Sequence, residues 1–344
     1  MRRLTVLFSL LSLLCVGLSS YILAEDGQKK ILLTYSDKAL LEELQSVAPE
    51  ARIIQLSGDR VLEEIADADA LIGNITPEQV RAGKKLKWVQ TMGAGVERLL
   101  HLSGATDLRD SDIILTNNQI VQGPEIADHA MAMLLALTRS IHKFLDHQKK
   151  REWQPRAFSG IELNGKTALV VGVGGIGTQI AFRAWASGMR VIGVDTEDIP
   201  YMPIIEQIVK PDQLNQILPE ADVIFVAAPH TPLSHKMFGK NEFKSMKQGA
   251  YFICVSRGGL YDLDALTHSL QSGHLAGAGV DVTDPEPLPA EHPLWQIPDV
   301  IITPHIATRS DKVRERMVRT MKENLRRFLD GRPLINVVDK QKGY

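Results

Sequence analysis

Short apolar runs that alternate with helical patterns are the main feature of this chain. In its first third, five runs rich in Ile, Leu and Val each span four or five residues. They lie at residues 31–35, 52–56, 70–73, 88–91 and 113–116. Strands that alternate with helices are typical of a parallel sheet covered by helices on both faces. The pattern therefore predicts a first α/β domain whose sheet ends near Asn117.

A second series of apolar runs predicts a second sheet. Its runs lie at residues 168–171, 190–194, 223–228, 251–255, 278–282 and 300–303. They are enough for a doubly wound parallel sheet of six or seven strands. The sequence therefore predicts two α/β domains, each built on a parallel sheet.

Helical patterns connect and complete the two units. An apolar stripe over residues 124–144 predicts one long helix between them. A helix over residues 310–329, followed by an extended segment, is predicted to pack back on the first domain. We therefore assign residues 28–124 and 309–339 to the first domain and residues 125–308 to the second.

A glycine-rich turn follows the first strand of the second series. The turn contains four glycines, Gly172, Gly174, Gly175 and Gly177, and Ile176 lies before the last of them. Glycines allow close approach of the backbone, and the N–H groups that begin the next helix, predicted over residues 178–185, bind phosphate.

The following strand ends in Asp195, 18 residues beyond Gly177, where a carboxylate is expected to meet a ribose. The spacing predicts a dinucleotide site. Asp195, with Glu197 and Asp198 nearby, favours NAD over NADP.

Three chemically complementary side chains follow three strands of the same predicted sheet. Arg257 follows the run at 251–255, Glu286 lies in a proline-flanked loop after the run at 278–282, and His305 follows the run at 300–303. Ligands of open α/β sheets bind at the carboxyl ends of strands. A guanidinium suits a carboxylate, and an imidazole suits proton transfer near neutral pH. These residues predict an anion clamp, an orienting carboxylate and a proton donor.

The composition argues against several other functions. A formal charge of −2 and the lack of a Lys/Arg stripe argue against a nucleic-acid surface. The two cysteines, Cys15 and Cys254, cannot form a disulfide or thiolate site within the folded body, and the histidines do not cluster at metal-ligand spacing. We therefore expect small-molecule partners and no metal.

The N-terminus resembles a targeting segment. Arg2 and Arg3 precede an apolar stretch over residues 4–24, which ends at Glu25 and Asp26. We expect residues 1–24 to be a cleaved signal peptide that exports the protein, with a periplasmic location. The stretch is also long enough to stay as a membrane anchor, and a cytoplasmic enzyme with a misassigned start is a further alternative.

The motifs together resemble the D-isomer-specific 2-hydroxyacid dehydrogenase family over residues 29–338. Beyond the glycine turn and Asp195, the resemblance rests on four segments, namely Met92-Gly93-Ala94-Gly95-Val96, Ser256-Arg257-Gly258, Val280-Asp281-Val282 with Pro285-Glu286-Pro287-Leu288, and Thr303-Pro304-His305-Ile306-Ala307. Glu97 stands where the family usually has Asp. The resemblance implies a Rossmann NAD-binding domain and a flavodoxin-like substrate domain with a cleft between them.

The resemblance also implies roles for individual residues. It makes Arg257, Glu286 and His305 the catalytic triad of a reversible hydride transfer between NAD and a small 2-keto or 2-hydroxy acid. The substrate would be held by Gly93, Ala94, Gly95 and Arg257. The cofactor would also be lined by Pro229, Thr231, Val255, Ser256 and Asp281. A homodimer is expected through the helix at 124–144.

Three related activities are weighed against this interpretation. A formate dehydrogenase is expected to have Gln in place of Glu286, so the Glu argues against it. A phosphite-type oxidoreductase keeps the same three residues, as does a corepressor-like protein that senses the dinucleotide without turnover. These last two remain alternatives to the dehydrogenase.

Overall fold

Two parallel β-sheets form the framework of the computed structural model, which describes residues 27–102 and 104–344. The strands of the first sheet are β1 (Lys30–Leu33), β2 (Arg52–Gln55), β3 (Ala70–Ile72), β4 (Trp88–Gln90) and β5 (Ile114–Thr116). Their order is β2-β1-β3-β4-β5, and every neighbouring pair is parallel. This is the flavodoxin-like strand order that the resemblance implies.

The second sheet has seven parallel strands. They are β6 (Thr167–Val171), β7 (Arg190–Val194), β8 (Gln207–Val209), β9 (Val223–Val226), β10 (Tyr251–Cys254), β11 (Gly277–Val280) and β12 (Val300–Ile302). Their order is β12-β11-β10-β9-β6-β7-β8. The chain reverses its direction of winding between β6 and β9, and such a switch point opens a crevice for ligands. The expected Rossmann domain is confirmed.

Helices cover both sheets. Those of the first part of the chain are α1 (Lys38–Val47), α2 (Arg60–Glu64), α3 (Pro77–Ala82), a π-helical turn at Arg98–Leu102, α4 (Gly123–Thr138) and α5 (Ile141–Lys150). The later ones are α6 (Gly175–Ala186), α7 (Leu214–Ile217), α8 (Lys240–Ser245), α9 (Leu263–Gln271) and α10 (Val313–Leu329). Side chains cap the N-termini of several of these helices. Asp37 accepts from the N–H of Leu40 at the start of α1, and Thr76 and Gln79 form a capping box on α3.

The prediction of one helix over residues 124–144 is wrong. The chain forms α4 and α5 instead, with a break at Arg139 and Ser140. Ser140 adopts φ +54°, a left-handed conformation that a continuous helix cannot contain. The prediction also missed β8, because its three residues include a single fully buried apolar side chain. A strand this short leaves too weak a pattern for periodicity to detect.

The C-terminal elements pack on the first sheet, as predicted. Val318, Met321 and Leu325 of α10 are buried among side chains of β1, β2, β3 and α1. After α10, Val337 forms an antiparallel bridge with Thr116 of β5. The first domain is therefore completed by residues from both ends of the described chain.

Two expectations concern segments or groups outside this framework. The predicted signal or anchor at residues 1–24 lies outside the described residues. Among the helices that are described, none is long and apolar enough to cross a membrane. Within residues 27–102 and 104–344, no cluster of His, Cys, Asp or Glu has the arrangement of a metal site.

Candidate active site

A cavity of about 1230 Å³ lies between the two domains. It is lined by the loops that follow strands of both sheets, including the glycine turn after β6 and the turn at residues 93–95 after β4. Single small-molecule sites usually occupy about 300–1,000 Å³. The cavity therefore has room for a dinucleotide and a small substrate together.

The glycine turn has the geometry that a phosphate site needs. Gly172 has φ +88°, and a Cβ there would lie 2.5 Å from the amide nitrogen of Ala228. At Gly177 a Cβ would lie 1.8 Å from the carbonyl oxygen of Gly172, so the helix packs directly on the strand. At Gly174 no atom lies within 4 Å of such a Cβ. Gly174 therefore leaves open space in front of the first N–H groups of α6, and the residues fit a dinucleotide pyrophosphate.

Asp195 directly follows β7 and lines the cavity. Its Oδ2 accepts a 2.6 Å hydrogen bond from the N–H of Val173 in the glycine turn, and its Oδ1 accepts one of 2.8 Å from the N–H of Glu197. The carboxylate therefore also fixes the turn that receives the pyrophosphate, a role that the spacing did not predict. The contact of Asp195 with a cofactor ribose stays a prediction.

The expected negative field beside Asp195 is weaker than predicted. Glu197 Oε1 lies 2.7 Å from Nζ of Lys342, and Asp198 Oδ1 lies 2.8 Å from Nζ of Lys210. Each carboxylate thus has a cation beside it. Neither pair was predicted, because each lysine comes from another segment of the chain.

His305 and Glu286 form a hydrogen-bonded pair. Nδ1 of His305 lies 3.0 Å from Oε2 of Glu286, and Oε1 of the same carboxylate accepts from the N–H of Thr283. His305 lines the cavity. Among the described residues its Nε2 has no hydrogen-bond partner, so this nitrogen is the one free to exchange a proton with a ligand.

Asp281 holds the loop that carries His305. Its side chain is 1% exposed and accepts three hydrogen bonds, from the hydroxyl of Thr303 at 2.5 Å and from the N–H groups of Ile306 and Ala307 at 3.0 Å each. Nε2 of His129, which sequence reasoning missed, lies 2.9 Å from the same hydroxyl. The network fixes the backbone on both sides of His305. Asp281 also lines the cavity, where a contact with the cofactor was predicted.

Arg257 is held by a residue of the other domain. Its Nε donates to Oε1 of Glu97 at 2.5 Å, and its Nη1 donates to the carbonyl oxygen of Ser256 at 2.6 Å. Burial opposes ionisation of Glu97, but the charge and hydrogen bond of Arg257 outweigh it and hold the pKa of this carboxyl below its ordinary value. No described residue accepts a hydrogen bond from Nη2. Arg257 therefore presents a fixed edge with donors left for a ligand.

The turn at residues 93–95 lies against this guanidinium. Asn117 donates to the carbonyl oxygen of Ala94, and Asn118 donates from its N–H to that of Gly93. Within the described residues, the N–H groups of Gly93, Ala94 and Gly95 have no acceptor. The turn is thus fixed through its carbonyl oxygens and leaves its donors available, as a carboxylate site requires.

The remaining predicted residues also line the cavity. They are Ile176, Pro229, Thr231, Val255 and Ser256. Glu97, Asn117 and His230 also line the cavity, and sequence reasoning assigned none of them a role in the site. Asn117 follows β5 directly, so the strand-end rule that identified His305 would have found it. Burial and the neighbouring His235, 3.0 Å away, lower the pKa of His230.

Comparisons with known proteins agree with this geometry. Residues 131–307 match a family model described as the D-isomer specific 2-hydroxyacid dehydrogenase NAD binding domain. A D-3-phosphoglycerate dehydrogenase of Methanocaldococcus jannaschii is 32% identical over 292 residues, which are 83% of this chain and 54% of that protein. The chain thus spans about half the length of that relative. A glyoxylate reductase of Korarchaeum cryptofilum is 31% identical over 292 residues, 82% of this chain and 86% of the relative.

A solved structure shares the fold over nearly its whole length. It is a D-isomer specific 2-hydroxyacid dehydrogenase from Xanthobacter autotrophicus, in complex with NADPH and MES. Its TM-score is 0.79 at 25% identity, covering 92% of this chain and 99% of that one. This chain therefore shares its two-domain architecture with a structure that was solved in complex with NADPH.

The close approach of Gly95 to Arg257 leads to a prediction. A Cβ at Gly95 would lie 1.7 Å from Nη2 of Arg257 and 2.7 Å from Oε2 of Glu97. We expect Gly95→Ala to displace the guanidinium and lower kcat/KM by about a hundredfold, the cost of misplacing one transition-state contact. NADH affinity, measured by fluorescence titration, should change little.

A neighbouring glycine provides the comparison. A Cβ at Gly93 has no contact nearer than 4.0 Å, so Gly93→Ala should lose far less activity than Gly95→Ala. Equal kcat/KM values for Gly95→Ala and the unmodified enzyme would show that the position of Arg257 does not limit the reaction.

Proposed function

Because the chain belongs to the D-isomer specific 2-hydroxyacid dehydrogenase family, we propose that it is an NAD-dependent oxidoreductase that interconverts a small 2-keto acid and the corresponding D-2-hydroxy acid. The observation that carries the proposal is that His305, paired with Glu286, and Arg257 line one cavity with the glycine turn. The curated relatives named above include a glyoxylate reductase, which supports a small substrate.

The proposed reaction divides its tasks among the residues of the cavity. Reduced nicotinamide, when bound, supplies the hydride. Nε2 of His305 donates a proton to the carbonyl oxygen as negative charge grows there. Glu286 orients the imidazole through Nδ1. In the oxidation direction His305 accepts the proton back.

Arg257 positions the substrate and stabilises the negative charge that develops on it. Its unused Nη2 donors face the turn at residues 93–95, whose N–H groups are also without acceptors among the described residues. A carboxylate that contacts both groups would receive charge-assisted hydrogen bonds from two directions. Such contacts would hold the adjacent carbonyl carbon near the imidazole, and the guanidinium would stabilise the developing alkoxide.

A substrate panel tests the proposal. The purified chain is mixed with NADH and, separately, with glyoxylate, hydroxypyruvate, phenylpyruvate and 2-ketoisocaproate, and the loss of NADH absorbance is followed. We expect at least one acid to be reduced. Binding of NADH without oxidation by any acid would favour the corepressor-like alternative, and NAD reduction by phosphite would favour the phosphite-type one.

Arg257→Ala sharpens the same experiment. We expect kcat/KM to fall about a hundred- to thousandfold, the usual cost of losing one transition-state donor, while NADH binding persists. Arg319→Ala, an exposed arginine on α10, is the matched control and should leave kcat/KM unchanged. Loss of NADH affinity in Arg257→Ala instead would show that the residue belongs to the cofactor site.

We also propose that the enzyme is a homodimer. Helices α4, α5 and α6 carry large apolar side chains that are about half exposed, namely Leu135, Ile141, Leu145, Phe182 and Trp185. Exposed apolar groups on adjacent helices are typical of a subunit interface. Sedimentation should give the mass of two chains, and Leu145→Glu combined with Trp185→Glu should give one. A monomeric unmodified protein would contradict the proposal.

We propose further that residues 1–24 export the protein to the periplasm and are removed. Arg2, Arg3 and the apolar stretch at residues 4–24 support this. N-terminal sequencing of the mature protein should begin after Ala24. An intact N-terminus in the membrane fraction would instead support an anchor, and one in the cytoplasm would support neither.

A further inference from the structure

The last six residues form a closed turn fixed to the first domain, which we call the C-terminal turn (residues 339–344). Asp339 Oδ1 accepts from the N–H groups of Gln341 and Lys342 at 3.0 Å each, and the N–H of Gly343 donates to the carbonyl oxygen of Asp339 at 2.8 Å. These bonds make the turn a built structure with a defined shape.

Lys340 anchors this turn. Its ammonium donates to the carbonyl oxygens of Leu108 at 3.0 Å and Ile113 at 2.9 Å, and to that of Ser111. Three carbonyl acceptors satisfy all three donors of an ammonium group. The C-terminal turn is therefore held against the segment that leads into β5.

The tip of the C-terminal turn crosses to the second domain. Nζ of Lys342 lies 2.7 Å from Oε1 of Glu197, and the hydroxyl of Tyr344 donates to the same oxygen at 2.8 Å. That hydroxyl also lies 3.0 Å from Oγ1 of Thr196. Thr196 and Glu197 directly follow Asp195. The tip thus contacts the edge of the site where a cofactor ribose is expected.

The turn fills no more than one edge of the cavity. Lys342, Gly343 and Tyr344 line it together with Gly174 and Asp195, and about 1230 Å³ remain with the turn in place. A Cβ at Gly343 would lie 2.6 Å from Nε2 of His101, so the tip packs closely on the first domain. The C-terminal turn therefore forms one wall of the cavity and does not fill it.

The charges at this edge bear on the two forms of the cofactor. Asp195 and Glu197 repel a 2'-phosphate, whereas Lys342 attracts one and neutralises Glu197. NADH has a neutral 2'-hydroxyl and is nearly indifferent to Lys342. NADPH carries a 2'-phosphate, so its binding affinity depends on the balance of these charges.

We propose that Lys342 and Tyr344 form the adenosine-end wall of the dinucleotide site, contributed across the cleft by the first domain, and that Lys342 determines how strongly a 2'-phosphate is rejected. The proposal rests on dinucleotide binding by the second domain, and it does not depend on which keto acid is reduced. It makes cofactor selectivity a property of both domains.

Binding measurements on the full chain test it. Dissociation constants for NADH and NADPH are measured by calorimetry for the unmodified protein and for Lys342→Gln. We expect the constant for NADPH to rise about three- to tenfold in Lys342→Gln, as for loss of one partly exposed charge contact, and that for NADH to change less than about twofold. The NADPH effect should shrink at high salt.

Two further variants distinguish a wall of the dinucleotide site from a nonspecific charge effect and from a turn that blocks the site. Lys312→Gln removes the same charge from an exposed site outside the cavity and should leave the NADPH-to-NADH ratio unchanged. Tyr344→Ala removes the ring of the wall and should weaken both cofactors severalfold.

Three results would overturn the proposal. One is an unchanged ratio in Lys342→Gln, and another is tighter binding of both cofactors by Tyr344→Ala, which would mean that the turn blocks the site. If the unmodified protein bound neither dinucleotide, the proposed function would fail together with this inference.

Discussion

The ion pair between Glu97 and Arg257 joins the two domains across the cleft, and the geometry of the site depends on it. The two side chains are 14% and 30% exposed, so neither charge is well solvated and each needs the other. Because Glu97 holds Nε, the guanidinium has one orientation, with Nη2 turned to the turn at residues 93–95. A guanidinium fixed in this way loses little conformational entropy when a carboxylate arrives.

Close backbone packing makes this pair possible. Gly95 lies so near Arg257 that no side chain fits between them, and a Cβ at Gly175 would lie 2.6 Å from Cα of Ile120. The domains thus meet at glycines on both sides of the cavity. The C-terminal turn adds a third crossing through Lys342. All three contacts bring first-domain atoms to second-domain strand ends, so residues of both domains form the boundary of the cavity.

The sequence predicted the parts of the site that follow from sheet geometry. Parallel strands end at one edge of a sheet, so Arg257 and His305 could be placed together from the runs that precede them. The same rule does not reveal Glu97, because its partner lies 160 residues away and nothing local to either residue indicates the pair. The C-terminal turn was missed for a similar reason, since only the folded chain brings Lys342 to Glu197. Ser140 was missed because an apolar stripe continues across the break, while the break itself is a backbone conformation.

The two carboxylates near His305 have different environments, and the difference separates stability from chemistry. Asp281 is 1% exposed and accepts three hydrogen bonds within the fold, so its removal would leave buried donors unpaired at a cost of about 1–3 kcal/mol each. Glu286 and His305 are each 40% exposed, and ion pairs this open contribute about 0–1 kcal/mol to stability. The pair is therefore poorly explained as a structural contact. A bound dinucleotide and keto acid would remove water from it, and the lower local dielectric would strengthen the hold of Glu286 on the imidazole at the stage when a proton is to be transferred.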